Sequence, residues 1–233
     1  AYFLALSGVK PFLFEAREKA GGMLAIAADF RLPDSVVQKD IDRVLNLGAE
    51  LHLGRRVTEA PEALLEQGFD AVYVACGHQA DAHLGIEGEE SEGVYHALDF
   101  LARVARGEDV FVGKKVLVIG GGNTAMDAAR TAKRLTDGSV KVVYRRTEDQ
   151  MPADREEIDA IFEEAIDLEE LTSPVCLVAG ASGVRALTCR RNELGEPGQD
   201  GRRRPVPVKG SDFDMEADTV IVAIGQRPDV SLL

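Results

Sequence analysis

The chain has 233 residues and a formal net charge of −13 at pH 7, and 45% of its residues are hydrophobic and 29% charged. This is the composition of a globular protein with room for two domains, and the negative charge argues against a nucleic-acid surface. No apolar run approaches the roughly twenty residues that span a bilayer, and no signal-peptide pattern is visible, so we expect a cytoplasmic protein without a membrane or nucleic-acid partner.

The amino-terminal segment predicts the second half of a βαβ nucleotide-binding unit. Residues 1–8 are typical of a helix that ends at a glycine, and residues 9–15 of a strand with an acid at its tip. In such a unit this acid binds a ribose 2′-hydroxyl, which makes Glu15 a candidate ligand; the alternative is an ordinary exposed acid. Gly21 and Gly22 follow, where a backbone can pass close to a ligand.

Further elements and a domain crossing are predicted before residue 95. Residues 33–48 have the pattern of a helix, and residues 50–57 contain a short strand. Residues 70–77 predict a buried strand whose small terminal residues leave room for a ligand, although a plain strand-to-loop turn explains the same pattern. The glycine-rich acidic segment 85–93 marks a crossing between domains.

The most informative pattern begins at an apolar run, residues 116–119, that ends in three glycines and continues as a helix of small residues. Gly120 allows a tight turn, Gly122 lets phosphates approach the backbone, and Ala125 lets the helix pack closely on its strand. This is a G-x-G-x-x-A pattern in its strand–turn–helix context, which predicts a pyrophosphate at the helix amino terminus.

The end of the next predicted strand indicates which dinucleotide binds. A site for the unphosphorylated cofactor usually has Asp or Glu there, whereas this strand ends in Arg145 and Arg146. Guanidinium groups form charge-assisted bonds with a 2′-phosphate, so we expect NADPH. The alternative for these two residues is a solvated strand end.

The remaining elements complete the second nucleotide-binding unit. A helix is predicted after Asp154, with Ile158 and Ile161 on its inner face, and two strands, 184–193 and 204–208, are joined by a loop that the basic residues 202–204 decorate. A last buried strand ends at Gly225 and is expected to line the nicotinamide pocket.

Taken together, these motifs resemble the glutamate synthase small-subunit family of two-dinucleotide flavoproteins, which includes selenate reductase-like members. The resemblance covers essentially the whole chain and is specific for the family, not for one member. The motifs that carry it are Glu15-Ala-Arg-Glu-Lys-Ala-Gly-Gly-Met23, Asp29-Phe-Arg-Leu-Pro33, Ala75-Cys-Gly77, Gly120-Gly-Gly-Asn-Thr-Ala-Met-Asp127, Tyr144-Arg-Arg-Thr147 and Ala223-Ile-Gly-Gln-Arg-Pro-Asp229.

The resemblance implies an α/β fold of two Rossmann-like domains, one of FAD type and one of NAD(P) type, with the NADPH domain inserted in an incomplete FAD domain. The expected ranges are 1–95 for the FAD domain, 96–225 for the NADPH domain and 226–233 for the return. Hydride would pass from NADPH to FAD, and electrons would continue to iron–sulfur centres in a further domain or partner subunit. The cofactors do this chemistry, so no catalytic side chain and no metal ligand is assigned.

Matching positions supply the expected ligands. For FAD they are Glu15 at the ribose, Gly22 and Met23 at the phosphates and flavin, Arg31 near the isoalloxazine, Val57 at the adenine, and Ala75 and Gly77 along the chain of the cofactor. For NADPH they are Gly120, Gly121, Gly122, Asn123, Thr124 and Ala125 at the pyrophosphate, Arg145 and Arg146 at the 2′-phosphate, and Ala223 and Gly225 near the nicotinamide.

The chain departs from the family pattern in two respects. The family's FAD glycine loop would lie before Ala1 and its Gly-Asp segment after Leu233, so we expect the central part of a longer protein that holds FAD poorly and is inactive alone. Glu148 stands where many relatives have a basic residue, which weakens the expected preference for NADPH.

Two other functions are compatible with parts of the pattern. One is a regulatory module that binds NADP(H) without turnover. The other is an enzyme similar to thioredoxin reductases or flavin monooxygenases. The three cysteines, at positions 76, 176 and 189, form no C-x-x-C and no metal-ligand spacing, which disfavours a dithiol reductase, a zinc site and an iron–sulfur cluster.

Overall fold

A computed structural model describes residues 1–181 and 183–228, and the chain divides into two compact units. The first unit contains residues 1–80 and, after the second unit, the described residues from Arg227; the second contains residues 81–226. One unit is therefore inserted in the other, as the resemblance implied. Most of the predicted return, residues 229–233, lies outside the described residues.

The first boundary lies at Ala80–Asp81, whereas the sequence analysis placed it after residue 95. The glycine-rich segment does interrupt the pattern, but its backbone is bonded into the second unit. The backbone carbonyl oxygens of Glu87 and Glu92 accept hydrogen bonds from the backbone N–H groups of Leu177 and Val184, both at 2.8 Å. The segment therefore belongs to the second unit and is not a linker before it.

The first unit is built around one pair of parallel strands, β1 and β2. The predicted first helix, the helix after Pro33 and both short strands are present. The elements are α1 (Tyr2–Leu6), β1 (Phe12–Phe14), a 3₁₀ turn (Gly22–Ile26), α2 (Asp34–Asn46), β2 (Glu50–His52) and α3 (Pro61–Glu66), after which β3 (Ala80–Asp81) leads into the second unit.

The strand predicted over residues 70–77 is not formed, so that prediction was wrong. The segment has no regular structure, and Tyr73 is 87% exposed. An apolar run becomes a strand only where a neighbouring strand satisfies its backbone N–H and C=O groups. Among the described residues β1 pairs with β2 alone, and no ladder reaches this segment.

The second unit contains most of the regular structure. Its elements are β4 (Val94–His96), α4 (Ala97–Ala105), β5 (Lys115–Ile119), α5 (Asn123–Leu135), β6 (Ser139–Val143), a 3₁₀ turn (Glu148–Gln150), α6 (Arg155–Glu163), β7 (Asp167–Glu169), β8 (Thr172–Gly180), β9 (Gly183–Pro197), β10 (Arg203–Glu216) and β11 (Thr219–Val222), and β12 (Gln226–Arg227) leads out of it.

A five-stranded parallel sheet forms the centre of this unit, in the order β4-β11-β5-β6-β7. Its strands are rich in Val and Ile because both faces are covered. The three helices α4, α5 and α6 cover one face, where Val118 and Val142 pack with the small residues Ala128 and Ala132 of α5. The small residues let α5 lie close to the sheet, as the G-x-G-x-x-A pattern predicts.

An antiparallel sheet, in the order β10-β9-β8, covers the other face. Leu117 and Ile119 of the parallel sheet pack there against Leu187 and Cys189 of β9. The predicted hairpin is confirmed, and both of its strands are longer than the hydrophobic pattern indicated. The unit is thus a three-layer structure of helices, parallel sheet and antiparallel sheet.

The two ends of the second unit meet. The backbone N–H of Ala82, just after β3, donates to the carbonyl oxygen of Gly225 at 3.0 Å.

No helix among the described residues combines the length and apolar character that crossing a bilayer requires.

Candidate dinucleotide site

The first turn of the glycine loop follows β5 and admits only glycine at Gly120. This residue has a φ of +147°, and its N–H donates to the carbonyl oxygen of Val143 on β6 at 3.1 Å. A Cβ added to it would lie 2.1 Å from the carbonyl oxygen of Ala223. The tight turn predicted at this position therefore brings the carboxyl ends of β5, β6 and β11 together.

The second glycine faces an aromatic wall. A Cβ on Gly121 would lie 2.5 Å from the ring of Tyr144. That ring is held in place because the Tyr144 hydroxyl donates to the carbonyl oxygen of Gln150 at 2.8 Å. The sequence analysis gave Tyr144 no role; its position directly before the two arginines was the available signal.

The third glycine is open. Gly122 is the residue before α5, and a Cβ on it would have no atom within 4 Å. Within the described part of the chain, the backbone N–H groups of residues 121–124 have no hydrogen-bond acceptor. They lie at the amino terminus of a thirteen-residue helix, where the helix dipole adds partial positive charge. This geometry suits a phosphate group.

The side chains that follow the glycines are already bonded within the protein. The amide of Asn123 donates to a carboxylate oxygen of Asp154 at 2.9 Å, and Thr124 Oγ1 accepts from Gln226 Nε2 at 3.1 Å. Thr124 keeps its hydroxyl proton as a donor, and the backbone N–H groups of Asn123 and Thr124 are also available to a phosphate. Ala125 is fully buried under the loop, as close packing of helix and strand requires.

The two arginines after β6 point to different surroundings. Arg145 is exposed, whereas the side chain of Arg146 is only 7% exposed. The Nε of Arg146 donates to the carbonyl oxygen of Arg203 at 2.6 Å, and its guanidinium lies 4.0 Å from a carboxylate oxygen of Asp200. Arg146 therefore ties the strand end to the β9–β10 hairpin.

The hairpin tip carries its own ion pair. Hydrogen bonds from the backbone and side chain of Arg202 lower the pKa of Asp200, and Arg146 adds to the effect. The Arg203 N–H donates to the side-chain oxygen of Gln150 at 2.9 Å. Arg203, one of the three basic residues expected to decorate a loop, thus binds the segment that follows Arg146.

Glu148 is neutralised locally. Its carboxylate lies 2.5 Å from a guanidinium nitrogen of Arg155, and this hydrogen bond raises the pKa of the arginine. This pairing offsets the negative charge by which Glu148 was expected to weaken the preference for NADPH.

The predicted nicotinamide side also adjoins the glycine loop. Ala223 follows β11, is 8% exposed, and donates its N–H to the carbonyl oxygen of Ile119 at 2.8 Å. Gly225 has a φ of +132°, and a Cβ added to it would have no atom within 4 Å. The second unit therefore brings together its predicted pyrophosphate and nicotinamide contacts at one edge of the parallel sheet.

In the first unit, Glu15 follows β1 as predicted. Its carboxylate accepts a hydrogen bond from the backbone N–H of Arg17 at 2.8 Å. The guanidinium of Arg17 donates to the carbonyl oxygen of Gly22 at 3.3 Å and to the Gln79 side chain at 2.7 Å. Arg17, which the sequence analysis did not select, fixes the loop that contains two of the predicted FAD contacts.

The other predicted FAD contacts are more dispersed. Gly22 has a φ of +57° and open space around its Cβ position. Three of the remaining residues, Met23, Arg31 and Val57, are half-buried, whereas Ala75 and Gly77 are exposed in the irregular segment that replaces the predicted strand.

Comparison with known proteins identifies a family and several relatives of the chain. The family model described as pyridine nucleotide-disulphide oxidoreductase matches residues 36–233. The chain is 40% identical over 241 residues to the NADPH-Fe(3+) oxidoreductase subunit beta of Geobacter sulfurreducens, with 100% of the chain and 36% of that protein covered. It is 36% identical over 241 residues to the small chain of the NADPH glutamate synthase of Halomonas elongata, with coverage of 98% and 51%.

The chain therefore spans between a third and a half of the length of these relatives. Among solved structures, Mycobacterium tuberculosis FprA in complex with NADPH matches with a TM-score of 0.78 and 22% identity, covering 96% of the chain and 65% of FprA. At this identity the match establishes the fold alone.

Proposed function

Because the chain belongs to the pyridine nucleotide-disulphide oxidoreductase family, we propose that it is the NADPH-binding electron-input module of a flavin-dependent oxidoreductase. The resemblance to the glutamate synthase small-subunit family drawn from the motifs is confirmed. The observation that carries the proposal is the open amino terminus of α5 at Gly122, with the exposed Arg145 at the end of the adjacent strand.

Each group in the second unit has a separate task in this proposal. The backbone N–H groups of residues 121–124 bind the pyrophosphate, and Arg145 binds the 2′-phosphate. Arg146 holds the strand end in position through the hairpin and contributes its charge from a buried location. Ala223 and Gly225 leave space for the nicotinamide.

The first unit is assigned the FAD. Glu15 binds the ribose, and Arg17 orders the loop at Gly22 that faces the phosphates. When bound, the cofactors supply hydride transfer from nicotinamide to flavin, and the protein contributes distance, orientation and electrostatics. Electrons then pass to iron–sulfur centres in a further domain or partner subunit. A cytoplasmic location is part of the same proposal.

Calorimetric titration of the chain with NADPH and with NADH at one salt concentration tests the cofactor assignment. We expect at least about tenfold tighter binding of NADPH, equivalent to about 1.4 kcal/mol. Equal affinities would contradict the role of Arg145, and absence of binding by both would contradict the site.

The alternative is a module that binds NADP(H) without turnover. The hydrogen bonds of Asn123 and Thr124 hold the amino terminus of α5 in position, and such a fixed binding site is equally compatible with binding alone. Anaerobic mixing of the FAD-loaded complete protein with NADPH separates the two. Bleaching of the flavin absorbance supports electron input, and an unchanged spectrum with bound NADPH supports the alternative.

A further inference from the structure

Three potential metal ligands gather where the chain enters the second unit. The carboxylate of Glu89 lies 3.7 Å from Nδ1 of His83 and 4.0 Å from Nε2 of His96. The three ligand atoms all lie within 4.8 Å of one another. The residues are spread over fourteen positions without a recognisable motif, so the sequence analysis, which searched cysteine spacings, did not find them.

The side chain of Glu89 is buried and held by hydrogen bonds. Its side chain is 5% exposed, and its two oxygens accept the backbone N–H groups of Leu84 at 2.8 Å and Gly85 at 2.7 Å. In the described part of the chain, no Lys or Arg lies within ion-pairing distance of it, and only the two histidines do. The two bonds from Leu84 and Gly85 stabilise the buried carboxylate in part, and a cation between the imidazoles would stabilise it further.

His96 has unused bonding capacity. Its Nδ1 is buried and has no hydrogen-bond partner among the described residues, and its Nε2 is too far from Glu89 for a hydrogen bond. Because Nε2 makes no hydrogen bond to Glu89, it is available as a ligand atom for an ion bound between the two side chains. Nε2 is the atom that faces the other two ligands.

We propose that His83, Glu89 and His96 bind a divalent metal ion of the zinc type. Two imidazoles and one carboxylate are a ligand set that Zn²⁺ prefers, and a fourth position remains for water. Tetrahedral zinc bonds of about 2.0–2.2 Å place ligand atoms about 3.3–3.6 Å apart. The carboxylate oxygen of Glu89 lies 3.7 Å from Nδ1 of His83 and 4.0 Å from Nε2 of His96, so metal binding requires each imidazole to move by less than about 1 Å toward the carboxylate.

The ion would brace the entry of the chain onto the parallel sheet. His96 is the last residue of β4 and lies opposite Val222 of β11, while His83 and Glu89 precede β4. The ion would thus tie the connection between β3 and β4 to the sheet. This role is separate from the proposed binding of NADPH.

Calorimetric titration with Zn²⁺, on the full chain carrying Cys76→Ser to remove an exposed thiol, tests the site. We expect one equivalent of Zn²⁺ to bind and His83→Gln to weaken it at least tenfold, with the same loss for His96→Gln. His78→Gln, which changes an exposed histidine outside the cluster, is the matched control and should leave the affinity unchanged. Co²⁺ provides a second readout, because its visible absorption reports nitrogen and oxygen ligands at the bound metal.

No saturable binding of Zn²⁺, or equal affinity in the parent protein and in His83→Gln, would overturn the proposal. Circular dichroism of the metal-free variants verifies that they are folded. If His96→Gln unfolds, the exposed position of His83 keeps the test decisive.

Discussion

Asn123 and Asp154 bind each other through two hydrogen bonds. The Asn123 amide donates to the Asp154 carboxylate at 2.9 Å, and the backbone N–H of Asp154 donates back to the Asn123 amide oxygen at 2.8 Å. One residue begins α5 and the other precedes α6. The pair therefore fixes the amino terminus of α5 against the residue that precedes α6.

Replacing Asn123 with Ala is expected to lower both stability and NADPH affinity. A double-mutant cycle with Asp154→Ala should give a coupling of about 1 kcal/mol, which reports the bond between the two side chains, whereas the bond from the Asp154 backbone N–H is lost only in Asn123→Ala. Denaturant unfolding measures it. The exposed pair Gln38 and Asp42, joined by one hydrogen bond at 2.8 Å, is the control, and Gln38→Ala should lower stability less than Asn123→Ala, which loses two bonds. Additive effects for Asn123 and Asp154 would contradict the structural role of the pair.

Substitution by alanine should mainly lower NADPH affinity at one glycine of the loop and mainly lower stability at another. Gly122→Ala has space for its Cβ, so we expect stability within about 1 kcal/mol of the parent and at least a tenfold loss of NADPH affinity. Gly120→Ala places a Cβ 2.1 Å from the Ala223 oxygen at a φ of +147°, and should lower the free energy of unfolding by about 3 kcal/mol. Thermal unfolding and calorimetry separate the two. Unchanged NADPH binding in Gly122→Ala would exclude the phosphate from this end of α5.

The two arginines are predicted to divide specificity and stability. Arg145→Gln should abolish the preference for NADPH over NADH with little change in the unfolding midpoint, because the side chain is exposed. Arg146→Gln should lower stability by about 2 kcal/mol, since the buried bond to Arg203 and the pairing with Asp200 are lost. Affinity ratios and denaturation curves are the measurements. Equal effects of both substitutions on the ratio would show that Arg146 also contacts the 2′-phosphate.

The thiols should differ sharply in reactivity at pH 8. Burial raises the pKa of the Cys189 thiol to about 12, while Cys76 is exposed. Since the thiolate is the reactive form, a disulfide reagent should label Cys76 rapidly and leave Cys189 unlabelled until the protein unfolds. Cys76→Ser should remove the fast phase, and Cys189→Ser should leave it unchanged. Fast labelling of Cys189 in the native protein would contradict its burial.

The same pKa shift predicts a pH dependence of stability. The unfolded Cys189 thiol loses its proton near its ordinary pKa of about 8.5, whereas the folded thiol keeps the proton until about pH 12. Because the unfolded state binds fewer protons between these values, stability should fall as pH rises through this range. The fall should be smaller in Cys189→Ser, as measured by denaturant unfolding at pH 8 and pH 10.

Local signals predicted the glycine loop well. The roles of Gly120 and Ala125 follow directly from sequence because each position obeys a steric rule that involves its nearest neighbours. The different surroundings of Arg145 and Arg146 were not predictable in this way, since Arg146 is held by residues more than fifty positions later in the chain. Arg17 was missed for the same reason, because its partner Gln79 is distant in sequence.

The strand predicted over residues 70–77 shows the limit of hydrophobic pattern. Its apolar residues match a buried strand, but strand formation depends on pairing with backbone that lies elsewhere in the chain. The boundary between the units was misplaced for a related reason. Residues 85–93 have the composition of a linker, and only the hydrogen bonds from Leu177 and Val184 show that they are packed.

The hydrogen bond between Ala82 and Gly225 joins the beginning and the end of the second unit, which makes this unit suitable for transfer between proteins. Its first and last residues lie next to each other in space. Insertion of a domain is tolerated when its two ends lie close together, so the unit could be replaced as a whole by another domain. A gene for residues 81–226 is therefore a natural starting piece for chimeras.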